Sequence, residues 1–249
     1  ELASALGTIE LKNGARKKGR QLFKLALEEP TENALAQATF MNNMLGETIQ
    51  PVNSERLSQA FEAQTRYKFF TQDFKGALEA AKRWFAYQPF SSRPAVMGSY
   101  IASVALGQFE EAIKLVKLGQ LASPDDPLLK NNLAFSLAST GKILEATEVL
   151  SSIDDSKLSD SEKYVVMATR GTIEFRNQNI AEGRRLYASA IDYFRKQKDL
   201  RSVALATYFL AREEENIKST FARELKEGVL KLADTLHLNE LISREATSL

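Results

Sequence analysis

Two stretches of this chain nearly repeat each other. "GTIELKNGARKKGRQLFKLAL" begins at Gly7, and "GTIEFRNQNIAEGRRLYASAI" begins 164 residues later at Gly171. Gly7/Gly171, Thr8/Thr172, Ile9/Ile173, Glu10/Glu174, Asn13/Asn177, Gly19/Gly183, Arg20/Arg184, Leu22/Leu186 and Ala26/Ala190 are identical pairs. Leu11/Phe175, Lys12/Arg176 and Phe23/Tyr187 are conservative exchanges. A catalytic site seldom needs two copies of itself, whereas a stacked architecture does, so the duplication points to a repeat fold.

Helical spacing runs through the rest of the chain, and no alternating strand pattern persists. In "DDPLLKNNLAFSLASTGKILEATEVLSSI", Asp126 is placed to accept from free backbone N–H groups, and Pro127 suits a first helical turn. Leu129, Leu133, Ala134 and Leu137 then share a face. Gly141 supplies a left-handed stop, and Ile143, Ala146, Leu150 and Ile153 line a second helix. This is a hairpin of about 34 residues, and it recurs. Gly107 and Gly141 stand 34 apart; Ala77, Ala112 and Ala146 stand 35 and 34 apart; Pro89 and Pro124 stand 35 apart. The recurring alanine has a physical reason: where two helices cross closely, a small side chain lets the backbones approach. Hairpins of this kind cover roughly residues 1–30, 54–90, 92–125, 126–158 and 160–196.

Two regions depart from the pattern. Residues 31–53 begin as a first helix, with Leu35, Ala38, Met41 and Leu45 inward, but no second helix follows. "GETIQPVNS" instead leads to another first helix at Ser54, which predicts a register break near 31–53. From about Asp199, "LRSVALATYFLAREEEN", "STFARELKEGVLKLADTLH" and "NELISREA" read as three more helices. Their charge-rich outer residues suit a terminal cap that faces water. Ser159 with Glu162 forms a capping box at the start of the fifth hairpin.

These features resemble the tetratricopeptide repeat family, whose unit is 34 residues and two helices. The family's Leu–small pair in the first helix is matched by Leu6–Gly7 and Leu133–Ala134, and in part by Arg170–Gly171. Its small residue early in the second helix is matched by Gly19, Ala77, Ala112, Ala146 and Gly183. Phe23, Val116, Leu150 and Tyr187 match the large residue four positions on, and Ala81 departs from it. Pro89 and Pro124 match the closing proline, while the family's early Trp is missing, Phe61 being the nearest substitute. The resemblance implies an all-α fold: a right-handed superhelical solenoid of antiparallel hairpins over 1–198, closed by capping helices over 199–249. It implies a protein-binding scaffold, not an enzyme, whose first helices line a groove for a partner protein or peptide, or for a neighbouring domain of the same chain.

Spacing places Gln59, Glu62, Arg66 and Phe69 on the groove face of one first helix; Asn131, Phe135 and Ala138 follow on another, and Thr172, Phe175 and Arg176 on a third. Phe69 and Phe135 are the candidate aromatic anchors, since a few aromatics carry most interface energy; core packing is the competing reading for both. Asn132 is better placed to bond neighbouring backbone. The carboxylate clamp that some of the family use for chaperone tails needs Lys and Arg on successive first helices beside an Asn, and that set is not found.

Chemistry finds little support. Cysteine is absent, which removes disulfides, thiol catalysis and zinc–thiolate sites. The only histidine, His237, falls near a helix end, where its charge suits the dipole. Asp125–Asp126 and Asp154–Asp155 read as caps and turns. "GARKKGR" lacks phosphate-loop spacing, so Gly14 reads as a turn and Gly19 as a close helix contact. Trp84 reads as core. No catalytic residue, metal or cofactor is expected. Arg16, Lys17, Lys18 and Arg20 form a basic cluster inside a chain of formal charge +1. It reads as a solvated outer face, with a regulatory or phosphate-tracking, nucleic-acid-associated surface as the alternative. A homo-oligomerisation arm, giving a homodimer, is a further alternative. "ELASALGTIELK" shows no signal or transit peptide and no apolar run nears the ~20 residues of a membrane helix. A cytoplasmic protein is therefore expected, and the missing initiator Met suggests a piece of a longer one.

Overall fold

The computed structural model describes residues 2–28, 30–49 and 60–246. Among these the fold is all-helical, with fourteen α-helices. The chain divides into two compact units, Glu1–Tyr87 and Gln88–Leu249. The segment from residue 199 onward thus belongs to the same unit as residues 88–198.

The first unit contains α1 (Leu2–Lys12), α2 (Arg16–Ala26), α3 (Glu32–Leu45), α4 (Phe61–Phe70) and α5 (Phe74–Tyr87). Gly14, at φ +83°, turns the chain between α1 and α2. The two helices cross through glycine: a Cβ added at Gly7 would lie 3.2 Å from the Gly19 carbonyl oxygen, and one at Gly19 would lie 2.5 Å from Leu11 Cγ. Phe23 fills the space beside that crossing and is fully buried, which contributes about 2–3 kcal/mol. α3 packs Leu35, Ala38 and Met41 into the same core, with Leu45 at its edge. Gly46, at φ +62°, ends α3, and Asn42 then holds Ile49 through two 2.8 Å bonds, from its Nδ2 to the carbonyl and from the Ile49 N–H to its Oδ1. The helix start expected at Ser54 lies outside the described residues.

The second unit runs α6 (Ser92–Tyr100), a π-helical turn (Ile101–Ala105), α7 (Phe109–Gln120), α8 (Pro127–Ser139), α9 (Ile143–Ser151), α10 (Asp160–Arg176), α11 (Ile180–Lys196), α12 (Leu200–Asn216), α13 (Ala222–Thr235) and α14 (Asn239–Ala246). Local signals set these boundaries. Asp126 accepts from the N–H groups of Leu128 and Leu129, Ser159 and Glu162 close a reciprocal capping box, and Gly107 and Gly141 take positive φ. Ala112 and Ala146 are fully buried at their hairpin crossings, as are Ala77 and Trp84 in the first unit. In α10–α11 the glycine crossing reappears: a Cβ at Gly171 would meet Tyr187 Cδ2 at 2.8 Å, and one at Gly183 would meet Phe175 Cδ2 at 2.5 Å.

Among the last three helices, α13 keeps an exposed charged outer face, whereas α12 and α14 bury charge. Glu213, Glu214, Glu240 and Arg244 are all buried. Val104 of the π-helical turn shares one apolar cluster with Ala204 and Tyr208 of α12, Val229 and Ala233 of α13, and Leu241 of α14. The Arg244 side chain donates to the carbonyls of Ser103 and Val104 (2.8 Å to the latter) and lies over the rings of Phe109 and Phe209. Carbonyls near a helix end lack intrahelical donors, and α14 supplies one. This unit therefore closes on itself, its end returning to its first hairpin. No helix among the described residues is long and apolar enough to cross a membrane.

Candidate binding site

The inner face of the second unit holds a cavity of about 150 Å³. Five helices and the π-helical turn line it: Tyr100 comes from α6, Asn131 and Phe135 from α8, Thr169 and Thr172 from α10, Tyr187 and Phe194 from α11, Phe209 from α12, and Ser103 and Val104 from the turn. The local sequence dictates this placement. In α8, Leu129, Leu133 and Leu137 point into the hairpin core, so Asn131 and Phe135, four residues apart, share the remaining inner face. In α10, Gly171 must sit at the crossing with α11, which turns Thr172 and Thr169 toward the cavity.

The walls are mostly apolar, with a few placed polar groups. Thr172 is buried, and its hydroxyl meets the Tyr187 hydroxyl at 2.7 Å, the nearest polar partner of each. Burial raises the Tyr187 phenol above its ordinary value. Burial also pushes the Tyr100 phenol up to about 12, and its hydroxyl sits within reach of Arg201 and Glu240. Asn132 donates to Ser99 Oγ at 3.0 Å and to the Val96 carbonyl at 3.4 Å, tying α8 to α6. Asn131 is 6% exposed, and its Oδ1 meets no hydrogen-bond partner among the described residues. Phe135 packs edge-on against Phe109 at 6.0 Å and Phe209 at 4.9 Å.

Asn131, Phe135 and Thr172 thus come together, from helices far apart in sequence. Arg176 does not join them. Its guanidinium forks onto Glu213 of α12 at 2.8 and 2.9 Å, so its charge is met within the chain. The reason is the return of α12, which brings a buried carboxylate to the end of α10. Glu62, Arg66 and Phe69 belong to the first unit. There Glu62 is buried and accepts from Arg66 at 3.0 Å, one helical turn away, while Phe69 packs edge-on against Phe74 at 5.4 Å. Gln59 lies outside the described residues.

The basic cluster is met in part from within, three of its four cations by two carboxylates. Arg20 and Arg16 reach the buried carboxylate of Glu47 at 2.6 and 3.5 Å, and Lys18 reaches Glu10 at 2.6 Å. Lys17 is exposed. The hydrogen bond that Arg20 donates holds the Glu47 carboxyl below the usual carboxylate range.

Sequence reasoning missed Tyr100, Tyr187 and Phe209 as wall residues. Tyr187 was legible only as the aromatic beside a crossing, and Phe209 only as one of several apolar residues on α12. Nothing in a single helix's periodicity shows which first helices share a cavity. Comparison with known proteins finds no matching family model and no matching curated protein.

Proposed function

We propose that this chain is a binding module of tetratricopeptide-like helix hairpins, and that it engages a protein partner through the inner face of its second unit. One observation carries the reading: α6, α8, α10, α11 and α12 converge on a mostly apolar cavity with a few placed polar groups, the ordinary make-up of a recognition pocket. The recurring small residues at the hairpin crossings support the repeat family, and the superhelical stacking that the family implies belongs to this proposal. The mechanism is geometric. Rigid, pre-packed helices hold the pocket, so binding costs the receptor little conformational entropy.

The return of the chain's last helices changes what the partner presents. With α12 and α14 packed back onto the first hairpin of the unit, a protruding side chain fits this face better than an extended segment laid along it. A photo-crosslinking residue placed at Val165, exposed at the cavity wall, tests this against one at Leu144, exposed on the second helix of its hairpin. In cells, a discrete adduct is expected from position 165 and none from position 144. An adduct from position 144 alone contradicts the proposal.

A further inference from the structure

We propose that the cavity receives a phenol ring, the side chain of a partner's tyrosine. This rests on the reading of the second unit as a protein-binding module, and names the chemistry of the group it takes.

Size comes first. A cavity near 150 Å³ lined by apolar side chains holds a single six-membered aromatic ring. The rings of Phe135 and Phe209, 4.9 Å apart and edge-on, form an aromatic wall against which a third ring can pack in the same way. Polarity selects among rings. Thr172 and Tyr187 share one hydrogen bond between their hydroxyls, and Asn132 is committed to α6. Asn131 Oδ1 is a buried acceptor, in a residue on the cavity wall, that lacks a donor among the described residues. A buried acceptor left unmet costs more than an ordinary hydrogen bond contributes. An entering group gains most if it brings one O–H to that oxygen. Benzene-type and aliphatic side chains fill the volume and leave Asn131 unmet. A charged head group finds no opposite charge on the cavity wall. Phenol answers both requirements.

The test uses the full chain and two probes that differ by one oxygen, N-acetyl-tyrosinamide and N-acetyl-phenylalaninamide. Titration followed by NMR or calorimetry is expected to show the tyrosine form binding about tenfold more tightly, the worth of one hydrogen bond to an otherwise unmet acceptor. Asn131→Leu should abolish that preference. Ala168→Phe, which fills the cavity from its wall, should abolish binding of both probes; a melting curve confirms that each variant folds. Equal affinity for the two probes overturns the proposal, even if crosslinking from position 165 succeeds and the binding module stands. Binding of free phenol but not of N-acetyl-tyrosinamide overturns it as well, by making the cavity a small-molecule site. A preference for tyrosine that survives Asn131→Leu overturns the assignment to this oxygen.

Discussion

The hairpins α1–α2 and α10–α11 carry nearly the same sequence and share one physical device, yet they sit in different surroundings. In both, glycines let two helix backbones cross with a carbonyl oxygen close by: Gly19 O lies 3.2 Å from a Cβ built on Gly7, and Gly183 O lies 3.3 Å from one built on Gly171. In both, the aromatic sixteen residues after the first glycine, Phe23 or Tyr187, is buried beside the crossing. In both, the arginine after the second glycine grips a buried carboxylate from a later element. Arg20 holds Glu47 and Arg184 holds Glu214, each at 2.6 Å. The repeated segment therefore encodes a crossing plus a latch. What differs is the face opposite. Thr8 bonds back to the Ser4 carbonyl of its own helix at 3.0 Å, with Gln37 Oε1 of α3 at 3.4 Å, while Thr172 meets Tyr187 at the wall of a cavity. The phenol hydroxyl at Tyr187, which Phe23 lacks, makes the second copy polar where the first is apolar.

The crossing is where both copies should fail alike. Gly19→Val and Gly183→Val each force a branched side chain against Leu11 or Phe175 and a backbone oxygen 3.1 Å away. Each should lose about 3 kcal/mol in chemical denaturation. A loss in one copy only would break the equivalence.

The return of α14 belongs to the second unit alone. Burial lowers the Arg244 guanidinium to about 10, so it remains charged at neutral pH while donating to two carbonyls. Arg244→Ala should cost about 2–3 kcal/mol, with loss of hydrogen-exchange protection in residues 239–246 and no change in α1–α3.

The latches should respond to acid in the same direction. The arginine partners hold both the Glu47 and Glu214 carboxyls below their ordinary value of 4.5. A depressed folded value means the stabilisation is complete above pH 4.5 and is lost as pH falls below it. Glu47→Gln and Glu214→Gln should each flatten the acid limb of the stability curve. Glu214 is buried while Arg184 stays 42% exposed, so solvent screening keeps the cost of Arg184→Ala near 1–2 kcal/mol.

The smallest expected effect separates the copies most cleanly. Thr172→Val strands the buried Tyr187 hydroxyl and should cost about 1 kcal/mol, whereas Thr8→Val, whose hydroxyl has the Ser4 carbonyl of its own helix and only a longer 3.4 Å contact to Gln37, should cost less. Paired thermal melts decide between these outcomes.

Much of the fold was legible because it rests on local or periodic signals. Gly141 and Gly107 marked turns, Ala112 and Ala146 marked crossings, and Ser159 with Glu162 marked a helix start. "LRSVALATYFLAREEEN" and "NELISREA" matched α12 and α14 end to end. The latches were illegible because their partners stand 27 and 30 residues apart, with no period linking them. Charge in a sequence does not announce burial. Thus the charge-rich outer residues of α12 read as part of a water-facing cap although Glu213 and Glu214 sit inside, and the solvated face read for Arg16, Lys18 and Arg20 gave no sign that Glu47 and Glu10 meet them. The cavity was half legible: Asn131, Phe135 and Thr172 follow from helical spacing, and the closing wall from α12 depends on how the chain returns.

The central claim is that one duplicated crossing supports both units while binding is confined to the second copy. Chemical-shift mapping of the whole chain with N-acetyl-tyrosinamide tests it most directly. The account predicts shifts clustered at Tyr100, Asn131–Phe135, Ala168–Thr172 and Leu205–Phe209, with the Gly7–Phe23 segment unmoved. Equal shifts at Gly7–Phe23, or shifts that spare the cavity, would contradict it.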